Sequence, residues 1–576
     1  MLTTIRQRAE RVDLVGFAAA LVASLAAGVL VQHSTLLRLG LAGILILLVA
    51  VVGVRAPRPL LLALPVWLVA LGLIRRLLTG LSSSGPADPL LLVGPLALVV
   101  LTFATFDRGA FQRLTTLAKL VLAYSLLVLL GAANPEQGSV TAGATALIFF
   151  VPLLAFWIGR GLVDRQLLQR LLIVVGILGI PAALYGLRQT FGGFPTWDQR
   201  WIEEQGYTSL NVGGVTRPFS SFSSAAEYAT FLAIAMAIWL QLGPRRFLRP
   251  ISLAVAGLLA VAVFYQSSRG TIVMLLGGGA VMLAARRRLP LTAAASLGAA
   301  LLLAVPAVVK QIAPSTYDSG DPTASLVQHQ VEGLANPLDP NASTAGAHMQ
   351  LVVSGIESAF HHPAGHGISQ VTIAGKKFGA QTTNTEADIS NAAVALGLPG
   401  FLLFVAIFAV GFGAAYRLAR GGGRLEVVAV GILTVTTMQW LNGGQYSVAF
   451  LPWLLLGWVD RQLVERTRPE VEEVEEPEAA PSAVLPAPRP RPPRPAPPRL
   501  ALRPPPPPAP AEPAAGDPEP RRWDVHALSR LPNLTDEEYY LLAYLRAECT
   551  VDGLLPVEFD PLVRSTFGDR LDERAP

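Results

Sequence analysis

Long apolar runs constrain this chain more than any other feature. Windows of about 17 to 25 apolar residues, enough to cross a hydrocarbon core as a helix, recur near 13–31, 35–54, 59–77, 89–105, 115–133, 140–158, 168–187, 226–243, 250–267, 270–285, 289–309, 391–416, 425–442 and 446–459. Several are short, so twelve to fourteen spans are expected. The chain is 52% hydrophobic and 15% charged, against roughly 25% charged for an average soluble domain. Most of it therefore cannot fold in water, and an all-α polytopic membrane bundle is expected. The first window reads as an uncleaved span, because its apolar run is long and the next begins almost at once.

Charge orients the spans. "VRAPRP", "DRGAFQR", "GRGLVDRQLLQR", "GPRRFLRP", "ARRRLP" and "RLARGGGR" fall in alternate gaps, while the short gaps between them hold almost no Lys or Arg. Basic gaps mark the cytoplasmic side, which puts both termini in the cytoplasm for an even span count. The net charge of +5 is mainly this signal. No separate basic domain is set apart, so no nucleic-acid partner is expected.

Two longer segments then lie outside, Phe191 to Ser224 and about 311–390. The second holds His329, His348, His361, His362 and His366, five of the seven histidines, and an amphipathic pattern near His348 to Phe360. It is expected to sit on the bundle as a lid. The domain reading is a polytopic membrane part over 1–460, a proline-rich linker over 461–521 and a small helical segment over 522–576. The linker, with "RPRPPRPAPPRLALRPPPPPAPAEP" at its centre, is too polar and proline-rich to build an apolar core. The last segment contains "NLTDEEYYLLAYLRAE", where Thr535 and Glu538 fit a capping box; it reads as a docking module or as a piece that folds on meeting a cytoplasmic partner. Cys549 is the only cysteine, which excludes an intrachain disulfide and a multi-cysteine metal site.

Against this apolar background two arginines stand out. Arg269, in "FYQSSRGTIVMLLGGG", sits at the external entrance of the tenth span, and Arg217, in "GGVTRPFSSFSSAAEYATFL", lies shortly before the eighth. Brought together they suit a phosphate or diphosphate, since each guanidinium offers a rigid fork of donors and keeps its charge. Taken singly, each also fits a snorkelling helix anchor. An anchor needs no polar surroundings, yet Ser220, Ser221, Ser223 and Ser224 follow Arg217, and Gln266, Ser267 and Ser268 precede Arg269.

At these residues the chain resembles the bacterial O-antigen ligase and Wzy-type polysaccharide polymerase superfamily. The likeness rests on "TRPFSSFSSAAEYATFLA", on Ser268-Arg269-Gly270 opening a later span, on the turn "HHPAGHGIS" with His362, Pro363, Gly365 and Gly367, and on "LGLPGFLLF". It covers roughly residues 35 to 459. The resemblance implies transfer of a glycan from a polyprenyl diphosphate carrier to a hydroxyl of a glycan or glycolipid acceptor, at the outer face of a bacterial plasma membrane, without metal or other cofactor. Arg217 and Arg269 would hold the diphosphate and stabilise charge on the leaving oxygen, and His362 would line the cleft. Polymerase is the expected activity, ahead of ligase.

One departure affects the base. Relatives carry a histidine-asparagine pair about eleven residues before the first glycine of "LGLPG", and here that position is Glu386. Glu386 or Asp388 is left to orient or deprotonate the acceptor, although a carboxylate is a weak base unless its site raises its pKa; both also read as solvated loop-end carboxylates. His362 and His366 have ligand spacing on a helix, but Pro363, Gly365 and Gly367 predict a turn, so no metal is expected. Arg75 and Arg76 read first as snorkelling side chains, Trp197, Trp201 and Tyr207 as interfacial aromatics or sugar platforms, and Asp198, Glu203 and Glu204 as an acceptor rim or solvated acids. A flippase for an anionic lipid headgroup could use the same arginines, but no inverted repeat is evident. A non-catalytic scaffold accounts only for the tail.

Topology is directly testable. With Cys549 replaced by serine, a cysteine introduced in the 311–390 loop should react with a membrane-impermeant thiol reagent once the outer face is exposed. One introduced at Ser482 should react only after the plasma membrane is broken. The opposite pattern overturns the orientation.

Overall fold

A computed structural model describes residues 35–79, 88–205, 211–212, 215–242, 249–313, 317, 322–339, 343–372, 383, 385, 387–437, 439–440 and 447–466, with isolated residues between 523 and 567. The chain is an all-α multi-pass membrane protein. Helices α1 (Thr35–Arg55), α2 (Pro57–Thr79), α3 (Val93–Phe103), α4 (Thr116–Gly131), α5 (Val140–Phe150), α6 (Ala155–Gly161) and α7 (Arg165–Gly192) lead to the amphipathic α8 (Thr196–Gln205). A two-stranded antiparallel hairpin follows, β1 (Asn211–Val212) and β2 (Val215–Thr216), with Asn211 opposite Thr216. The chain continues through α9 (Ala225–Leu242), α10 (Arg249–Gln266), α11 (Arg269–Arg286), α12 (Leu291–Ile312), α13 (Pro322–Ala335), α14 (Ala345–His361), α15 (Asp388–Ala419), α16 (Arg424–Val435) and α17 (Phe450–Arg466).

Among the described residues seven helical stretches are long and apolar enough to cross a membrane: Pro57–Leu78, Val140–Gly161, Arg165–Gly192, Ala225–Leu242, Arg269–Arg286, Leu291–Ile312 and Asp388–Ala419. Four shorter apolar helices accompany them, Gly40–Arg55, Pro89–Phe103, Thr116–Gly131 and Pro250–Gln266. Together they fall on the second to twelfth apolar windows of the sequence. The last two windows fall on α16 and α17, which have 12 and 17 residues, and the first lies outside the described residues.

Local sequence explains where the helices start. Side chains of Thr115, Ser139 and Asp164 each accept from a backbone N–H one turn on, satisfying donors that the helix itself cannot. Before α9, the Ser224 hydroxyl accepts from Glu227 N–H at 3.2 Å, while the Glu227 carboxylate accepts from Ser223 N–H at 3.2 Å and Ser447 N–H at 2.7 Å. Between α6 and α17 the approach is backbone to backbone. A Cβ on Gly159 would lie 2.0 Å from the Leu454 carbonyl, and one on Gly457 would lie 1.8 Å from that of Phe156. Small residues are what let two membrane helices meet this closely. By contrast α12 is apolar yet almost none of it is buried, and its exposed surface suits lipid.

Several charges within the bundle are paired. Arg160, at the end of α6, meets Asp460 of α17 at 2.7 Å and donates to the Arg113 carbonyl at 2.7 Å. At the end of α2, Arg76 is fully buried against Asp198 of α8, at 2.7 Å, with neither side chain exposed. Its two terminal nitrogens donate to the carbonyls of Phe222 and Ser220, and its guanidinium lies 4.7 Å from the Phe219 ring centroid. Arg75 pairs with Asp88 at 2.7 Å and lies 5.1 Å from the Trp201 ring centroid. This corrects the sequence reading: Arg75 and Arg76 do not snorkel, Trp201 is core, and Asp198 is neither rim nor solvated. A long side chain reaches water only if no anion lies nearer, and α8 supplies one.

Residues 470–576 form a second compact unit. Its described residues include a small core of Trp523, Leu528, Leu555, Val563 and Phe567, with Leu555 N–H donating to the Trp523 carbonyl at 2.8 Å. The Thr535–Glu538 pattern lies outside the described residues.

The Arg76–Asp198 pair gives a stability prediction. Arg76→Met strands a buried carboxylate and should destabilise the detergent-solubilised protein by about 3–5 kcal/mol, whereas Arg76→Met with Asp198→Leu should cost less than the two single changes added. Thermal unfolding of the three variants checks this; strict additivity would show the pair to be uncoupled.

Candidate functional site

The segment that carries Arg217 is clamped from behind. Gln189 of α7 accepts the N–H groups of Phe219 and Ser220 on one amide oxygen, at 3.0 and 2.7 Å, and donates to Asp198 at 2.7 Å. The Ser220 hydroxyl donates to the Ala182 carbonyl at 2.7 Å. These bonds hold Ser220 at φ +53°, a left-handed conformation that a non-glycine residue adopts only when its surroundings fix it.

The turn before Arg269 is built in the same way. Ser267 has φ +61° and is buried; its N–H donates to the Phe264 carbonyl at 3.1 Å and its hydroxyl to the Leu326 carbonyl of α13 at 3.1 Å. Gln266 donates to the Ala225 carbonyl at 2.7 Å, tying this turn to the start of α9. Arg269 is thereby the first residue of α11, where unsatisfied backbone N–H groups already favour an anion.

Both arginines converge on α13. The hairpin that precedes Arg217 packs on α13, and the Arg269 guanidinium lies against Gly333, where a Cβ would come within 1.6 Å of Nη1. One turn earlier on the same helix face, His329 Nε2 stands 3.1 Å from Arg269 Nη2. A guanidinium can only donate, so Nε2 accepts and His329 carries its proton on Nδ1. Burial first, then the charges of Arg269 and Arg217, lowers His329 to about 4. Burial and Arg269 lower Arg217 to about 10. At neutral pH the cluster is thus two cations and one neutral imidazole.

Within the cluster Arg217 Nε is unpartnered among the described residues, and so are Gln266 Oε1 and both amide atoms of the fully buried Gln330, which neighbour Arg269 and His329 in sequence. Buried groups of this kind are normally satisfied, so a polar ligand fits the arrangement. The structure therefore brings Arg217 and Arg269 within electrostatic reach of each other and adds His329. Sequence reasoning counted His329 only as one of five loop histidines. Its one signal was its i, i+4 spacing from Gly333.

Three expected site residues remain: Asp388, Glu386 and His362. Asp388 is the first residue of α15 and is 2% exposed, within electrostatic reach of Tyr124 of α4; it is not a solvated loop-end acid. Glu386 lies outside the described residues. His362 belongs to a second cluster, with its ring centroid 4.2 Å from that of His366, and His366 Nδ1 is 2.7 Å from a Glu136 oxygen. The contacts that gather Arg217, Arg269 and His329 do not include it. The turn expected at Pro363 to Gly367 is present, with Gly365 at φ +70° and Gly367 at φ +91°.

The lowered value of His329 has a pH consequence. Between about pH 6.5, the ordinary value, and about 4, the unfolded chain binds a proton that the folded protein refuses, so stability falls as pH drops through this window. His329→Gln keeps an acceptor without taking a proton, and should flatten this part of the stability–pH curve. Parallel curves for the two proteins, measured by thermal unfolding in detergent, would contradict the assignment.

No protein-family model matches the chain, and no curated protein does.

Proposed function

We propose that the protein is a membrane glycosyl-transferring enzyme that polymerises a cell-surface polysaccharide, moving glycan from a polyprenyl diphosphate carrier to a hydroxyl of an acceptor glycan at the outer face of a bacterial plasma membrane. The observation that carries this reading is the convergence of Arg217, Arg269 and a neutral His329 at the mouth of α11. Two forked cations at a helix N-terminus suit a diphosphate better than a single charge. Both basic turns would then face outward, with both termini in the cytoplasm.

The chemistry follows from that placement. The acceptor oxygen attacks the anomeric carbon and a new glycosidic C–O bond forms. The anomeric C–O bond to phosphate breaks, and its electron pair leaves with the polyprenyl diphosphate. Arg217 and Arg269 stabilise the charge growing on the leaving oxygens. His329 accepts from Arg269 and so fixes the direction of its fork. The hydroxyl proton passes to a carboxylate at the entrance of α15: Asp388 is buried there, so an acceptor meets it only if the entrance opens, and Glu386 stands two residues earlier in the chain. The same cluster would also suit a flippase, which forms no new bond.

If forked geometry matters, Arg269→Lys should fail nearly as badly as Arg269→Ala, and Arg217 should behave likewise. Loss of one transition-state contact costs roughly 3 to 4 kcal/mol, on the order of a hundredfold to a thousandfold in rate. The measurement is turnover of a lipid-linked oligosaccharide donor by equally folded variants, separating chain growth from transfer to another acceptor and from translocation. Near-normal turnover by both lysine variants removes the diphosphate assignment, and donor movement without a new glycosidic bond favours the flippase.

A further inference from the structure

Three side chains with metal-binding chemistry meet away from the arginine cluster. The ligand atoms of Glu136, His362 and His366 all lie within 4.8 Å of one another. Glu136 comes from the turn between α4 and α5, and the histidines come from the turn after α14, some 230 residues later in the chain. We propose that these three residues bind a divalent transition metal of the zinc class and thereby join the two turns.

The backbone beneath them is fixed independently of any ion. His366 N–H donates to the Val394 carbonyl and Gly367 N–H to that of Ala395, both at 2.9 Å, while Leu398 N–H donates to the Pro363 carbonyl at 3.1 Å. The histidine turn is therefore bolted to α15. On its other side, Asn134 donates to the Gly365 carbonyl at 2.8 Å, Ser369 to the Gln137 carbonyl at 3.1 Å and Gln370 to the Glu136 carbonyl at 3.2 Å. Both turns are held in register before any ligand binds, the condition a pre-organised site requires.

Ligand type and geometry agree. Imidazole nitrogens select zinc and its transition-metal neighbours over magnesium or calcium, and two histidines with one glutamate is a common zinc set that leaves a position for water. Ligand atoms on one tetrahedral ion, each about 2.1 Å from it, stand roughly 3.4 Å apart. The present 2.7 Å hydrogen bond between His366 Nδ1 and Glu136 is given up when the ion takes both side chains. His362 and Glu136 are exposed, so the ion has an entry path and its remaining position faces solvent. The site does not depend on what the arginine cluster does.

The test uses the full-length protein in detergent, stripped with a chelator and titrated with Zn²⁺ against a chromophoric competitor. Wild type should bind about one more equivalent than His362→Ala/His366→Ala, and Zn²⁺ should raise its thermal midpoint but not that of the double variant. Glu136→Gln, a change at an exposed position, should weaken binding at least tenfold, and His361→Ala, which removes the neighbouring histidine, should leave it unchanged. Equal stoichiometry and affinity in wild type and the double variant would overturn the proposal, as would equal loss in His361→Ala.

Discussion

The buried ion pair between Arg76 and Asp198 holds the geometry on which the rest of the candidate site depends. A guanidinium without solvent at the end of an apolar helix is stable only if its charge and all its donors are matched. Asp198 supplies the charge, and the carbonyls of Phe222 and Ser220 each accept from one terminal nitrogen. One side chain of α2 therefore sets the position of α8 and of the segment that follows Arg217. Gln189 completes the arrangement by reading the same segment from α7.

That framework tolerates a costly neighbour. Arg217 and Arg269 repel each other, and His329 is kept neutral between burial and two cations. An anion placed among them relieves the repulsion and accepts from Arg217 Nε, which has no partner among the described residues. Serines held in left-handed conformations next to both arginines show the same pattern: local strain is maintained by surrounding hydrogen bonds where side chains must be aimed.

The parts of this molecule readable in its sequence are those written in local patterns. Apart from α8, α13 and α14, the helices coincide with apolar windows, because hydrophobic length is a property of contiguous residues. The turn around His362 followed from one proline and two glycines. The unusual setting of Arg217 and Arg269 was legible because serines follow the one, and a glutamine and two serines precede the other, out of keeping with an apolar chain; that they meet was not. Long-range partners were not legible. Arg76 and Asp198 are 122 positions apart, and each alone resembles an ordinary interfacial residue. His329 and Glu136 acquire their neighbours only when distant segments meet, and no spacing rule connects them.

The break in α15 at Gly397 has a further meaning. Its φ of +63° with ψ of −155° is open to glycine alone, and a Cβ there would lie 2.1 Å from the Pro363 carbonyl. A broken helix releases carbonyls and an amide from their ladder, and in an apolar medium each must find another partner or cost several kcal/mol. Here the carbonyls of Val394 and Ala395 and the amide of Leu398 are all taken by the histidine turn. The turn is thus a splice in the backbone of α15. Shortening or grafting out the 362–367 segment would leave an apolar helix with open hydrogen-bonding positions at its middle, so loop and span are one unit that can be exchanged only together.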